Sequence, residues 1–226
     1  MNVLGKTIKY TAIALAMLLA VTVIGSVIDI LAVFFGDTEE VEMKEYTVDN
    51  SVFKIEAELQ VSELIIENAQ NFKVLTNNGD VSIKEANGVL RIIEKRKPIN
   101  ISHKKNAEVR IYIPENNNLE GLNIKAGVGK ANIKVSEISD LKLEMGVGEL
   151  TLKSTLLGKN EIHCGIGAID ITLTGDNDSY KVKAAKGIGE IRLDGRKIGS
   201  GTFGEGNSLL EIEGGIGNIR IAFEDD

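Results

Sequence analysis

The chain has 226 residues, a hydrophobic fraction of 43%, a charged fraction of 26% and a formal net charge of −7, which leaves room for one domain of moderate size plus an anchor. Residues 1–36 carry Lys6, Lys9 and Asp29, a net charge of +1, so the remainder carries −8, and an acidic chain of this kind argues against general nucleic-acid binding. Cys164 is the single cysteine, which excludes an intramolecular disulfide and leaves stability to packing.

Residues 1–9 read as a short basic N-terminus on the cytoplasmic side. Between Tyr10 and Phe35 the only charge is Asp29, and the run from Tyr10 to Ile28 is 19 residues without one. At ~1.5 Å per residue this spans roughly 28 Å, enough to cross the hydrocarbon core of a bilayer. Residues 10–35 are therefore expected to form a single-pass transmembrane signal-anchor helix. Lys6 and Lys9 precede it, while Asp37, Glu39, Glu40 and Glu42 follow; the positive-inside bias puts the N-terminus in the cytoplasm and the rest of the chain outside the cell membrane. A cleaved signal peptide shares the basic start, but its apolar core is usually only about 7–15 residues long, which favours retention here. No cysteine lies near the run, so a lipoprotein anchor is excluded. Asp29 has two readings: it marks the outer water interface, or it contacts a partner helix in the membrane.

Residues 36–44 form an acidic linker, and from 45 onward the signal is strand. Short β-branched runs at 52–57, 61–66, 72–76, 81–84, 89–94 and 109–113 are separated by Asn, Gly, Asp or Pro clusters. Residues 45–120 read as irregular coils, with Pro98 and Pro114 in breaks between strands. Within them KRKPINISHKK is a basic loop in an acidic domain. Its Lys95, Arg96, Lys97, His103, Lys104 and Lys105 form a candidate contact for anionic ligands such as cell-wall polymer or lipid headgroups, with a plain solvated loop as the alternative.

Residues 121–226 are regular. Gly-Val-Gly or Gly-Ile-Gly recurs with glycines at Gly127 and Gly129, Gly146 and Gly148, Gly165 and Gly167, Gly187 and Gly189, and Gly215 and Gly217. The first glycines step by 19, 19, 22 and 28 residues, the spacing of stacked structural repeats. With the first glycine as position 0, positions −5, −3, −1, +1, +4 and +6 are apolar in 27 of 30 places, the exceptions being Asn160, Lys186 and Gly214. The positions between are mostly polar, so these six are expected to face inward. The step from +1 to +4 is three residues, which breaks strand phase and requires a bend at the second glycine. Gly-x-Gly is thus a corner between two strands of one coil. Coils of this length stack as an all-β, single-stack parallel β-helix (β-solenoid), preceded here by one transmembrane α-helix. Terminal coils are expected to be atypical, and the C-terminal AFEDD to charge an exposed edge.

The anchor, the short polar strands and the repeats LEMGVGELTL, IHCGIGAIDITL and IEGGIGNIRIAF together resemble the bacterial toast-rack, adhesin-like β-solenoid domains of cell-envelope proteins. The resemblance covers roughly residues 45–226. It implies a surface or envelope-stress role, sometimes beside sensors of the Lia or phage-shock type, and supplies no catalytic residues.

The glycines do not read as a nucleotide site, since no third glycine and no following helix accompany them, and Ile124 stands where a P-loop glycine would be. Gly214-Gly215-Ile216-Gly217-Asn218 lacks the aspartate of a calcium nonapeptide, and Asp176-Asn177-Asp178 reads as a turn. His163 and Cys164 fall on opposite faces and cannot cooperate as base and nucleophile; with His103 the only other histidine, little remains for zinc. No cofactor, metal, nucleotide or enzymatic activity is expected. The reading is a non-enzymatic, membrane-anchored binding or scaffold module with envelope proteins or anionic polymer as partners. Its alternative is a regulatory or sensory component of an envelope-stress response acting through membrane partners.

Overall fold

The structure, a computed structural model, describes residues 42–95, 107–117 and 119–224. The described residues are all-β, with one 3-10 turn at Asn177–Ser179 and no α-helix. The expected span at 10–35, with Asp29, lies outside the described residues; among those described, no helix is long and apolar enough to cross a membrane.

The irregular half supplies β1 (Lys44–Thr47), β2 (Lys54–Leu59), β3 (Glu63–Ala69), β4 (Lys73–Thr76), β5 (Val81–Ala86), β6 (Val89–Glu94) and β7 (Glu108–Pro114). Each of β8 (Gly121–Ser139), β9 (Leu141–Leu157) and β10 (Lys159–Thr174) is a whole coil, two arms running through a glycine corner. The chain ends with β11 (Tyr180–Ile188), β12 (Ile191–Leu193), β13 (Arg196–Ile198), β14 (Gly201–Phe203), β15 (Ser208–Ile216) and β16 (Ile219–Glu224).

Strand pairing resolves into two rows of arms that meet along the corners. The arms before the corner run β5-β6-β2-β8-β9-β10-β15-β11-β14, and those after it run β1-β4-β7-β3-β8-β9-β10-β16-β12-β13. Pairing is parallel from β6 to β11 in the first row and from β7 to β12 in the second. Antiparallel strands finish the rows: β5 and β14 on one, β4 with β1 and then β13 on the other. Two of these turn-backs use two-residue hairpins whose residues both have positive φ, Asn87-Gly88 and Asp194-Gly195, the pairing such tight turns require.

The coils do not stack in chain order. The last coil, β15 and β16, inserts between β10 and the coil of β11 and β12. Of AFEDD, the described residues therefore do not guard an edge: Ala222, Phe223 and Glu224 pair with Thr172, Leu173 and Thr174, and Glu224 holds Lys153 at 2.8 Å, while Asp225 and Asp226 lie outside the described residues. The terminal coils are atypical, as the repeat pattern predicts. Their charge comes from Lys84, Glu85, Arg196 and Lys197 on the short antiparallel strands, which blunt the edges against further pairing.

The core is a set of ladders, one rung per coil. At −3, Ile92, Ala57, Ile124, Leu143, Ile162 and Ile212 succeed one another in register, all buried. Each fully buried Leu or Ile contributes about 1.5–3 kcal/mol relative to exposure. The three exceptions to the apolar pattern each have a local reason. Asn160 is fully buried and spans three coils, accepting from Leu141 N at 3.0 Å and donating to Leu157 O and Leu209 O at 3.2 and 3.1 Å. A Cβ on Gly214 would lie 3.1 Å from Ile219 Cδ1, so Ile219 fills that rung. Lys186 belongs to the penultimate arm of its row and is half-buried.

Candidate functional site

One expectation fails at the corners, and the failure creates the site. Position +1 does not face inward. Val128, Val147, Ile166, Ile216 and Ile188 are 55, 43, 48, 49 and 70% exposed, and Val61, in the corner of the coil formed by β2 and β3, is 62% exposed. Strand alternation is lost on both sides of +1 rather than on one. The glycines show why: a Cβ on Gly146 would point along the stack and meet Gly127 O at 2.6 Å, and one on Gly148 would meet Gly129 O at 1.8 Å. At Gly148, φ is +155°. With the flanking positions directed at the neighbouring coil, the residue between them is left on the outside of the bend.

Five of these β-branched side chains pair in register, Val128 against Val147, Val147 against Ile166, and Ile216 between Ile166 and Ile188. The pairs Leu59–Ala126 and Leu64–Ala131 on either side of the corner put Val61 next to Val128 at the same offset. At ~4.8 Å per strand the row is about 24 Å long. Beside it lies an open groove of about 620 Å³ floored by Gly127 and Gly146, with Lys125, Glu144 and His163 among its lining residues.

The faces on either side of this row are charge lattices. Before the corner, Glu56 takes Arg91 at 2.9 Å and Lys54 at 3.0 Å, Lys159 meets Glu161 at 2.5 Å, and Lys183 meets Glu211 at 2.9 Å. After it, Lys130 meets Glu149 at 3.1 Å, Arg220 meets Asp170 at 2.9 Å, and Glu190 takes Lys197 and Arg192 at 2.7 and 3.1 Å. Hydrogen bonds from Arg91, then Lys54, hold the Glu56 carboxyl below its ordinary range, and Lys197, then Arg192, do the same for Glu190. Lys159 lowers Glu161 and is itself raised. Such exposed pairs contribute little to stability. They do neutralise one another, so neither face offers a large field of one sign.

At the 60–62 corner there are no glycines. Glu94, 5% exposed, lies against it instead. Its Oε2 accepts from the backbone N–H groups of Gln60, Val61 and Ser62 at 2.7, 3.2 and 3.3 Å, and its Oε1 accepts from Asn78 Nδ2 at 2.8 Å. Glu94 thus takes the place of another coil at the end of the corner row. It is a functional-looking carboxylate that its sequence context does not announce, since in a strand reading of 89–94 it is merely the last residue.

Of the basic loop, Lys95 is described, exposed, with its N–H donating to Asp80 O at 3.0 Å. Arg96, Lys97, His103, Lys104 and Lys105 lie outside the described residues, as does Pro98. His163 is half-buried on the outer face, its Nδ1 3.2 Å from Glu213 Oε2, while Cys164 is buried on the inner one; burial pushes the Cys164 thiol up, the opposite of what a nucleophile needs. Asp176 Oδ1 accepts from Asp178 N at 3.0 Å, a self-contained turn. No cluster of three metal-ligating side chains occurs among the described residues.

The model of the family described as Toastrack DUF4097 matches residues 21–198. The chain belongs to the Toastrack DUF4097 family. Among solved structures, a protein of Clostridium sporogenes ATCC 15579 provisionally named a cell adhesion protein is similar at 20% identity and a TM-score of 0.57, covering 81% of this chain and 99% of its own. A provisionally named adhesin of Bacteroides fragilis NCTC 9343 is similar at 13% identity and a TM-score of 0.37, over 81% of this chain and 98% of its own. At such identities the first likeness is one of fold, and the second is too loose to add to it. No protein with a curated description matches.

Proposed function

We propose that this toast-rack domain is a non-enzymatic, adhesin-like binding module, held on the outer side of the cell membrane by residues 10–35. The observation that carries the reading is the in-register row of six exposed Val and Ile side chains on the corners. Scattered exposed aliphatics need no explanation, but a contiguous line of them between two charge-neutralised faces marks a contact surface. The name of the Clostridium sporogenes neighbour supports the same class. Envelope proteins or cell-wall polymer are the partners in this reading.

Two experiments test it. A C-terminal alkaline phosphatase fusion is expected to be active, because the enzyme folds only outside the cytoplasm; an inactive fusion would reverse the topology. Pull-down with the intact chain and with a chain beginning at Asp37 is expected to recover the same partners, and the variant Val147→Lys to lose them. Partners that require residues 1–36 and vanish with Asp29→Leu would instead favour an envelope-stress regulator working through the membrane.

A further inference from the structure

We infer that the corner row is a homotypic contact in which two copies of this chain lie with their rows antiparallel, related by a two-fold axis across the row. This inference rests on the binding reading above and names the partner of that surface.

The row by itself accepts any flat aliphatic strip, so the decision comes from the charges along it. Two residues before each first glycine stand, in stacking order, Lys125, Glu144, His163 and Glu213, one per coil and in register. Turned end for end, the same row reads Glu, His, Glu, Lys. Opposed to itself it sets Lys125 against Glu213 of the second copy and Glu144 against the imidazole of His163 of the second copy, each pairing occurring twice by symmetry. It leaves the His163–Glu213 contact within each copy in place at the centre of the network. Three residues after each first glycine stand Lys130, Glu149 and Ala168, likewise in register, and Asn218, whose carbonyl accepts from Ile169 N at 2.9 Å just before the Ile169–Ile219 pair. Reversal sets Lys130 against Asn218 and Glu149 against Ala168. On the hydrophobic row Val147 then opposes Ile166, Val128 opposes Ile216, and Val61 opposes Ile188. Only the outermost rungs bring like charges together, Glu63 against Glu190, and Glu190 already holds Lys197 and Arg192.

The other two-fold arrangement, with rows parallel, keeps every coil opposite itself. It sets Lys125 against Lys130 and Glu144 against Glu149, like charges at two of the central coils. These are relieved in part because Lys130 holds Glu149 and Lys142 holds Glu144 within each copy, but no opposite charges face one another across the contact. Electrostatic complementarity of this sort fixes register more than it adds affinity. A strip about 24 Å long and one side chain wide makes a small contact, in the range below roughly 1,200 Å² of buried surface where weak and transient encounters fall. The association is therefore weak and concentration-dependent, suited to copies gathered on one surface.

The test uses the full chain in detergent micelles, with Cys164 left in place because it is buried. Val61→Cys and Ile188→Cys chains, prepared separately, are mixed and oxidised at high concentration. The expected result is a mixed Val61→Cys/Ile188→Cys disulfide pair, in yield well above either variant alone and absent from the unsubstituted chain. Lys125→Glu and Glu213→Lys are each expected to cut that yield by about tenfold at limiting concentration, and the double exchange to restore it. Self-linked Ile188→Cys as the main product would overturn the antiparallel arrangement. A chain that stays monomeric in sedimentation and forms no cross-link would overturn the homotypic contact altogether. If Val147→Lys still lost its pulled-down partners in that case, the binding reading would stand alone; if it kept them, both would fall.

Discussion

The corners at 60–62 and at 146–148 make the same bend with different chemistry. Gly148 has a φ of +155° and has no room for a Cβ, which would lie 1.8 Å from Gly129 O. Ser62, at the matching place, keeps a negative φ and carries a side chain that accepts from Asn78 Nδ2 at 3.0 Å. The difference is what lies next along the stack: another coil's backbone in one case, the Glu94 carboxylate in the other. Glycine is thus required by stacking between coils, and not by the bend itself.

The largest expected effect tests that distinction directly. Gly148→Val combines backbone strain with forced repacking and should cost about 3–5 kcal/mol, read as a lower urea midpoint, whereas Ser62→Ala should cost about 1 kcal/mol through one lost hydrogen bond. Equal losses would collapse the comparison. Next comes Glu94→Ala, which removes the carboxylate that accepts from three backbone amides and from Asn78 Nδ2, the latter keeping Ser62 Oγ, and should cost about 2–4 kcal/mol; Glu94→Gln, which retains one oxygen, should lose less. A Glu94→Ala chain as stable as the parent would mean that water caps the corner row equally well.

Asn160 sharpens the picture at the place where the last coil inserts. Asn160→Ala should cost about 1–3 kcal/mol, and Asn160→Leu should not recover it, because Leu141 N and Leu209 O lose the Asn160 hydrogen bond either way, while Leu157 O keeps the one from Asp140 N. Full recovery by leucine would make Asn160 an ordinary rung. On the outer row, Val147→Ser is expected to change stability by no more than about 0.5 kcal/mol while weakening binding, and a large stability loss would show the row to be core after all. The smallest effect is on pH. The folded-state pKa values of Glu56, Glu161 and Glu190 are lowered, so their contribution is present above the unfolded carboxylate value of about 4.3 and fades as pH falls through the lower folded values. Urea midpoints between pH 6 and pH 3 should show a shallow decline that salt reduces.

Much of this was legible in the residues. The period of the glycines marks coils, the alternation of Leu143, Met145 and their neighbours marks two faces, and the strand at 89–94 is found with its bounds intact. The direction of Val128 and Val147 was not legible, because apolar character at +1 fits a core position as well as an exposed contact, and only the orientation of the corner peptides distinguishes them. The hairpin signals Asn87-Gly88 and Asp194-Gly195 were present in the sequence and mark where the parallel rows turn back.

Sequence alone therefore determined the coil, its corners and its inward ladders, since these follow from period and side-chain type within one repeat. Tertiary structure decided which coil lies beside which. Leu210 and Ile212 match the rungs of β10 and β11 alike, so local pattern places no constraint on order; the last coil's position follows from registering against both neighbours at once. The same stacking turned the glycine positions toward the adjacent backbone and left a line of valines and isoleucines facing outward.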